Sequence, residues 1–147
     1  MEEPLDNGRN RCRLRCTSQP SLDPAEAQGG ASVDHICVVF PLLPGKTEDA
    51  RAFQRELDTE RKAEYDRSER QIGITREYWF IASLPTGDQL IVFIESADFN
   101  RALGMFAQSQ EPFDVWFKQR LAEVTGVDLG NLPPDMQLPE LVSSYET

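Results

Sequence analysis

Histidine stands once in this chain, at position 35, cysteine occurs three times, and no apolar run approaches the roughly 20 residues that a membrane span needs. Positive charge is also scarce, since 15 Lys and Arg against 25 Asp and Glu leave a net charge of −10. Each shortage removes a class of function. One imidazole, with no Gly-x-Ser-x-Gly elbow, builds no Ser/His/Asp constellation. An odd number of cysteines is no disulfide framework and agrees with a reducing compartment. The acidic balance denies nucleic acid and anionic membranes the basic footprint they need, so neither is an expected partner. The opening MEEPLDNGRN is acidic and polar where a secretory signal would be basic and then apolar, so the expected location is cytoplasmic.

What is present divides in two. Residues 1–33 are rich in Gly, Pro, Ser, Gln and Arg and show no apolar period, which predicts a disordered N-terminal tail. Four arginines against five acids give the tail a net charge of −1, which leaves −9 of the total −10 on residues 34–147. The tail holds the one basic patch, RNRCRLRC, with Cys12 and Cys16 inside it. Two thiols are half of a zinc site and the only histidine is far along the chain, so no metal is expected there. Residues 34–147 are long enough for one domain with its own hydrophobic core.

Within that domain DHICVVFPLL is a strand, with Pro41 near its end because proline donates no ladder hydrogen bond. The following PGKTED resembles a phosphate-binding loop only in part. The pattern needs a glycine five positions before Gly45, where Phe40 stands, and Pro44 lacks an N–H, so nucleotide hydrolysis is excluded. Thr47 instead reads as the N-cap of a long helix that ends at Gly73, with Lys46 a solvent-exposed turn residue. Ala50, Phe53 and Leu57 form its narrow apolar stripe. The distal half is expected to be largely exposed and supported by pairs such as Asp58–Lys62, Lys62–Asp66 and Asp66–Arg70.

The runs ITREYWFIASL and DQLIVFIES, joined through Pro85, Thr86, Gly87 and Asp88, predict a β-hairpin. Pairing Leu84 with Gln89 would set Phe80 opposite Phe93 and Tyr78 opposite Glu95. One face then carries Arg76, Tyr78, Phe80, Ile91, Phe93 and Glu95, and the other Glu77, Trp79, Ile81, Leu90, Val92 and Ile94. A helix capped by Ser96 or Asp98 follows, with Phe99, Leu103 and Phe106 on one side. After a break, Pro112 opens a helix bearing Phe113, Trp116, Phe117, Leu121 and Val124 and ending at Gly126. ELVSSY near the end is a candidate short strand.

The order strand, helix, strand, strand, helix and a last strand is a split βαβ arrangement. It predicts an α+β, ferredoxin-like domain with a four-stranded antiparallel sheet and helices on one face. Both faces of the hairpin are largely apolar, so a second subunit is the expected cover of the open face, in a homodimer. The segments PLLPGKTEDARAF, REYWFIASLPTGDQLIVFIESAD and DFNRALGMFAQSQEPFDVWFKQRLAEVTGVDL resemble the dimeric α/β-barrel superfamily over residues 34–129, and most of all its uncharacterised bacterial members. That superfamily holds antibiotic-biosynthesis-type monooxygenases, haem-degrading enzymes and some isomerases. The haem-degrading branch needs a histidine on or near the second helix, and none stands there; no cofactor is expected.

The resemblance and the sheet together imply a small, partly apolar molecule bound between sheet and helices, with cofactor-independent oxidation or isomerisation as the chemistry. The competing expectation is a non-catalytic ligand-sensing or interaction module of the same fold. Arg76, Tyr78, Phe80, Phe93 and Glu95 are the candidate pocket residues, offering a cation, an acid and a phenol around aromatic rings. The plainer reading pairs Arg76 with Glu95 as a strand-end ion pair and packs the rings into the dimer core. A catalytic site would have these side chains facing a void. His35 reads as structural, Cys37 as a buried small hydrophobe, and Trp79 and Trp116 as core or interface anchors.

Overall fold

The computed structural model describes residues 32–147. The expected disordered tail, with Cys12 and Cys16, lies almost wholly outside the described residues. Alternating and β-branched runs build three strands, β1 (Asp34–Pro41), β2 (Ile74–Leu84) and β3 (Gly87–Ser96). They form a three-stranded antiparallel sheet in the order β1-β3-β2. This is the order of three strands of the ferredoxin-like sheet, and all helices lie on one face of it, so the fold is α+β. The helices are α1 (Thr47–Asp58), α2 (Lys62–Ile72), α3 (Phe99–Gln108) and α4 (Pro112–Thr125).

The core fills the space between the inner sheet face and the helices. Phe40, Leu90, Val92 and Ile94 of the sheet meet Phe53 and Leu57 of α1, Phe99 and Phe106 of α3, and Phe113, Phe117 and Leu121 of α4. Rings meet edge-on at its centre, Phe117 lying 5.1 Å from Phe53 and 5.3 Å from Phe106, a geometry that suits the quadrupoles of both partners. Asp98 caps α3 by accepting from the N–H of Arg101 at 3.0 Å. Asp34 at the start of β1 accepts from the N–H of Phe99 at 2.9 Å and ties that helix start to the sheet.

A second buried network joins the helices. Asp114 is buried and accepts from the hydroxyls of Ser68 on α2 and Ser109 in the α3–α4 connection. Lys118, one turn further along α4, donates to the carbonyls of Ala107 and Ser109 at 3.0 and 2.8 Å. Those carbonyls belong to the end of α3, where helix geometry leaves acceptors free and the dipole favours a cation.

Several expectations need correction. The long helix is two, broken at residues 59–61, where the Thr59 hydroxyl donates back to the Arg55 carbonyl at 2.6 Å and offers the backbone an alternative to continuing. The break re-aims the chain so that Tyr65 and Ile72 pack on the core. Thr47 caps nothing; its hydroxyl donates to Asp88 at 2.6 Å and pins α1 to the start of β3. Of the expected i,i+4 pairs on α2, Lys62–Asp66 forms at 3.0 Å. Gly73 and Gly126 do end their helices in the left-handed region, at φ 86° and 76°, where a side chain is disfavoured.

The expected fourth strand is absent among the described residues. Pro133, Pro134 and Pro139 interrupt the C-terminal segment and cannot donate to a ladder. Leu129 and Leu138 instead pack against the core, while Val142 and Tyr145 are 85% and 87% exposed. The hairpin pairs Leu84 with Gly87, which leaves Pro85 and Thr86 as a two-residue turn. Relative to the expected register the strands are slipped by two, so Tyr78 opposes Phe93, Phe80 opposes Ile91 and Arg76 opposes Glu95. Side chains alternate with period two, so the slip changes partners and leaves both faces as expected.

Candidate functional site

A cavity of about 100 Å³ lies between the inner face of the sheet and the helices. β2 contributes Glu77 and Trp79 and α2 contributes Glu69, while Phe106 and Phe117 close it from α3 and α4. Leu132, Met136 and Leu138 bring the irregular C-terminal segment over it. Glu69 and Glu77 are the acids of an otherwise apolar lining, and among the described residues no Lys, Arg or His lines the cavity with them.

Local geometry places both acids. Glu77 precedes Trp79 and Ile81 by two and four residues, so strand alternation sends it to the inner face. On α2, Glu69 follows Tyr65 by one turn and shares its inward stripe with Ile72. Tyr65 donates through its hydroxyl to Oε1 of Glu77, and Trp79 donates through Nε1 to the same oxygen. Trp79 Nε1 also lies 3.3 Å from the Tyr65 hydroxyl, which closes a small ring of polar contacts. Glu69 differs: its Oε2 is buried and has no hydrogen-bond partner among the described residues.

The electrostatic consequence follows from burial. A carboxylate loses its hydration in an apolar cavity, so the neutral acid is favoured. Glu69 is pushed up to about 9 by that desolvation first, then by the charges of Glu77 and Asp114. Glu77 is also raised by burial, but the bonds from Tyr65 and Trp79 work in the opposite direction and favour its charged form. The phenol of Tyr65 is raised by burial and by the neighbouring Glu77, and remains a donor. The two carboxyls thus stand in contrasting surroundings, Glu77 served by two donors and Glu69 Oε2 by none among the described residues.

The five residues singled out from sequence lie on the other side of the sheet. Arg76, Tyr78, Phe80, Phe93 and Glu95 share the outer face, which carries no helix of the described residues. Tyr78 and Phe80 are 52% and 55% exposed. The structure brings most of them together: Arg76 meets Glu95 at 3.2 Å, His35 Nε2 lies 3.5 Å from the same carboxylate oxygen, and Tyr78 stacks on Phe93 at 6.3 Å. His35 stacks on Phe93 from the other flank at 6.1 Å. Phe80 stands apart from that cluster and borders an open concavity of about 440 Å³ beside Arg51 and Arg55 of α1. The ion pair expected at the strand end is thus present, and these residues face the outside rather than the cavity between sheet and helices. Cys37, expected to be buried, is exposed on the same face opposite Phe93.

Trp79 sits in the core beside Phe40 and Phe117. Trp116 packs on Phe53, and Arg61 lies 4.1 Å over its ring. Lys46 pairs with Asp49 at 3.2 Å, and its N–H closes a turn onto the Leu43 carbonyl at 3.1 Å, so that loop presents no array of free donors to a phosphate. Among the described residues no group of three or more His, Cys, Asp or Glu is arranged to hold a metal ion. Among them, too, no helix is long and apolar enough to cross a membrane.

No family model matches the chain, and no curated protein matches it. A solved structure similar to it is that of tetracenomycin F2 cyclase from Streptomyces glaucescens, a type-II polyketide cyclase. The two are 18% identical with a TM-score of 0.48, over 78% of this chain and 98% of that one.

Proposed function

We propose that this protein binds a small, largely apolar molecule in the cavity between sheet and helices and moves a proton on it with Glu69 and Glu77. The observation that carries this reading is a pair of acids in an apolar cavity, with no cation among the described residues lining it, and one of the acids has a buried oxygen that no described residue partners. Structural acids inside proteins are normally paired or fully hydrogen-bonded. Carboxyls carry protons rather than electrons, so isomerisation fits this lining better than oxidation does. Membership of the dimeric α/β-barrel superfamily and a cytoplasmic location belong to the same proposal.

Trp79 lines the cavity and gives a direct test. In a Trp116→Phe variant the remaining indole reports ligand entry, and ring-sized apolar compounds should change its emission saturably. No saturable change with any of a panel of uncharged and charged ring compounds would sink the pocket reading.

A second reading is favoured by the outer face, where Val39, Tyr78 and Phe80 lie half-exposed on a sheet face that no helix of the described residues covers. We propose that a second copy covers it. The outer face then serves assembly and the candidates there act as interface residues.

A further inference from the structure

Resting on the pocket reading, we infer that the two carboxyls have fixed and opposite roles: Glu77 takes a proton from carbon and Glu69 gives one to oxygen, on an uncharged, ring-sized carbonyl compound. The cavity sets the size. About 100 Å³ is of the order of the roughly 150 Å³ apolar cavity that accepts benzene. The absence of any lining Lys, Arg or His among the described residues sets the charge, because an anion would meet two acids in a low-dielectric space with none of these cations to compensate it. Hydrogen bonding sets the roles. Glu77 Oε1 receives two donors, from Tyr65 and Trp79, and donors favour a carboxylate over an acid. Glu69 Oε2 receives none and is buried, so its oxygen is served only if it carries a proton and finds an acceptor. A carbonyl oxygen is such an acceptor. Burial raises both groups, and at Glu77 alone do hydrogen bonds work against it.

The step balances without any added reagent. Glu77 accepts the proton of the carbon next to the carbonyl; the electron pair of that C–H bond forms a C=C bond. The carbonyl π pair moves onto oxygen, which takes the Glu69 proton as the Glu69 O–H bond breaks. The product is an enol, Glu77 is protonated and Glu69 ionised. Running the step backwards restores the ketone, and returning the proton to a more distant carbon of a conjugated ring moves the double bond. Tyr65 and Trp79 act through Glu77 and are positioning residues.

The test uses the full chain with cyclohexane, cyclohexanone and cyclohexanecarboxylate. Binding is followed by ligand-observed NMR, and exchange of the ketone's α-hydrogens is followed in D2O. Cyclohexanone should bind best and exchange at least about tenfold faster than in buffer, a modest share of what positioned acids and bases supply. Glu77→Gln and Glu69→Gln should each bind it and lose the exchange. Tyr65→Phe, which removes one donor from Glu77, should move the acidic limb of the rate profile to higher pH. Cyclohexanone that binds without exchange above twofold overturns the assignment and leaves the pocket reading standing. So does binding in which cyclohexane equals the ketone or the carboxylate exceeds it. Binding of none of the three overturns the pocket reading itself. Should the glutamine variants not fold, the wild-type profile decides: a bell requires one acid ionised and one protonated, and a flat profile overturns the assignment.

Discussion

Glu69 makes the stability of this protein depend on pH in a direction opposite to that of a salt-bridged acid. Its folded-state value of about 9 lies above the ordinary 4.5, so between these values the folded chain holds a proton that the unfolded chain has lost. The contribution is fully present below about 4.5, falls by up to about 1.4 kcal/mol per pH unit as pH rises, and is gone above about 9. Denaturant melts from pH 5 to pH 9 should show this decline, and Glu69→Gln should flatten much of it. Asp114 is the contrasting acid, satisfied by Ser68 and Ser109. Asp114→Ala leaves those hydroxyls without their acceptor and should cost about 1–3 kcal/mol by the same melts. Part of this was open to a reader of the sequence. Glu77 stands in phase with Trp79 and Ile81, and a charged residue on an apolar face is the informative exception. Sequence could not reveal that Tyr65 of α2 reaches it, because that contact depends on where α2 restarts after the break.

At the level of elements, what could be read was whatever one local rule decides. Gly73 and Gly126 marked helix ends because left-handed backbone favours glycine. Gly126→Ala should lower stability by about 1–2 kcal/mol in thermal unfolding, since its φ of 76° is strained for alanine. The helix break and the missing strand were not legible, because each is a competition between local bonding and distant packing. Thr59 turns its hydroxyl back on the helix, and the C-terminal prolines give up ladder donors while Leu129 and Leu138 find the core. That segment closes the cavity with Leu132, Met136 and Leu138. Truncation after Asn131 should therefore leave the sheet signal in circular dichroism and raise the binding of an environment-sensitive dye, through apolar surface newly open to solvent.

For the whole molecule, the two-layer build of the described residues leaves one broad face of their sheet without a covering layer. A second copy there predicts a mass near twice that of the chain in sedimentation equilibrium. Phe80→Asp, which puts a carboxylate at an exposed aromatic position, should shift that equilibrium towards monomer with little loss of helix or strand signal. The sequence had both faces right despite a hairpin register off by two, since an even slip preserves every side chain's direction. β2 therefore writes two messages in alternate letters: Glu77 and Trp79 address the cavity, while Arg76, Tyr78 and Phe80 address the exterior. A lineage can revise one set and keep the other, so that under the proposed reading choice of companion and choice of ligand are free to drift apart in evolution although their residues are neighbours along a single strand.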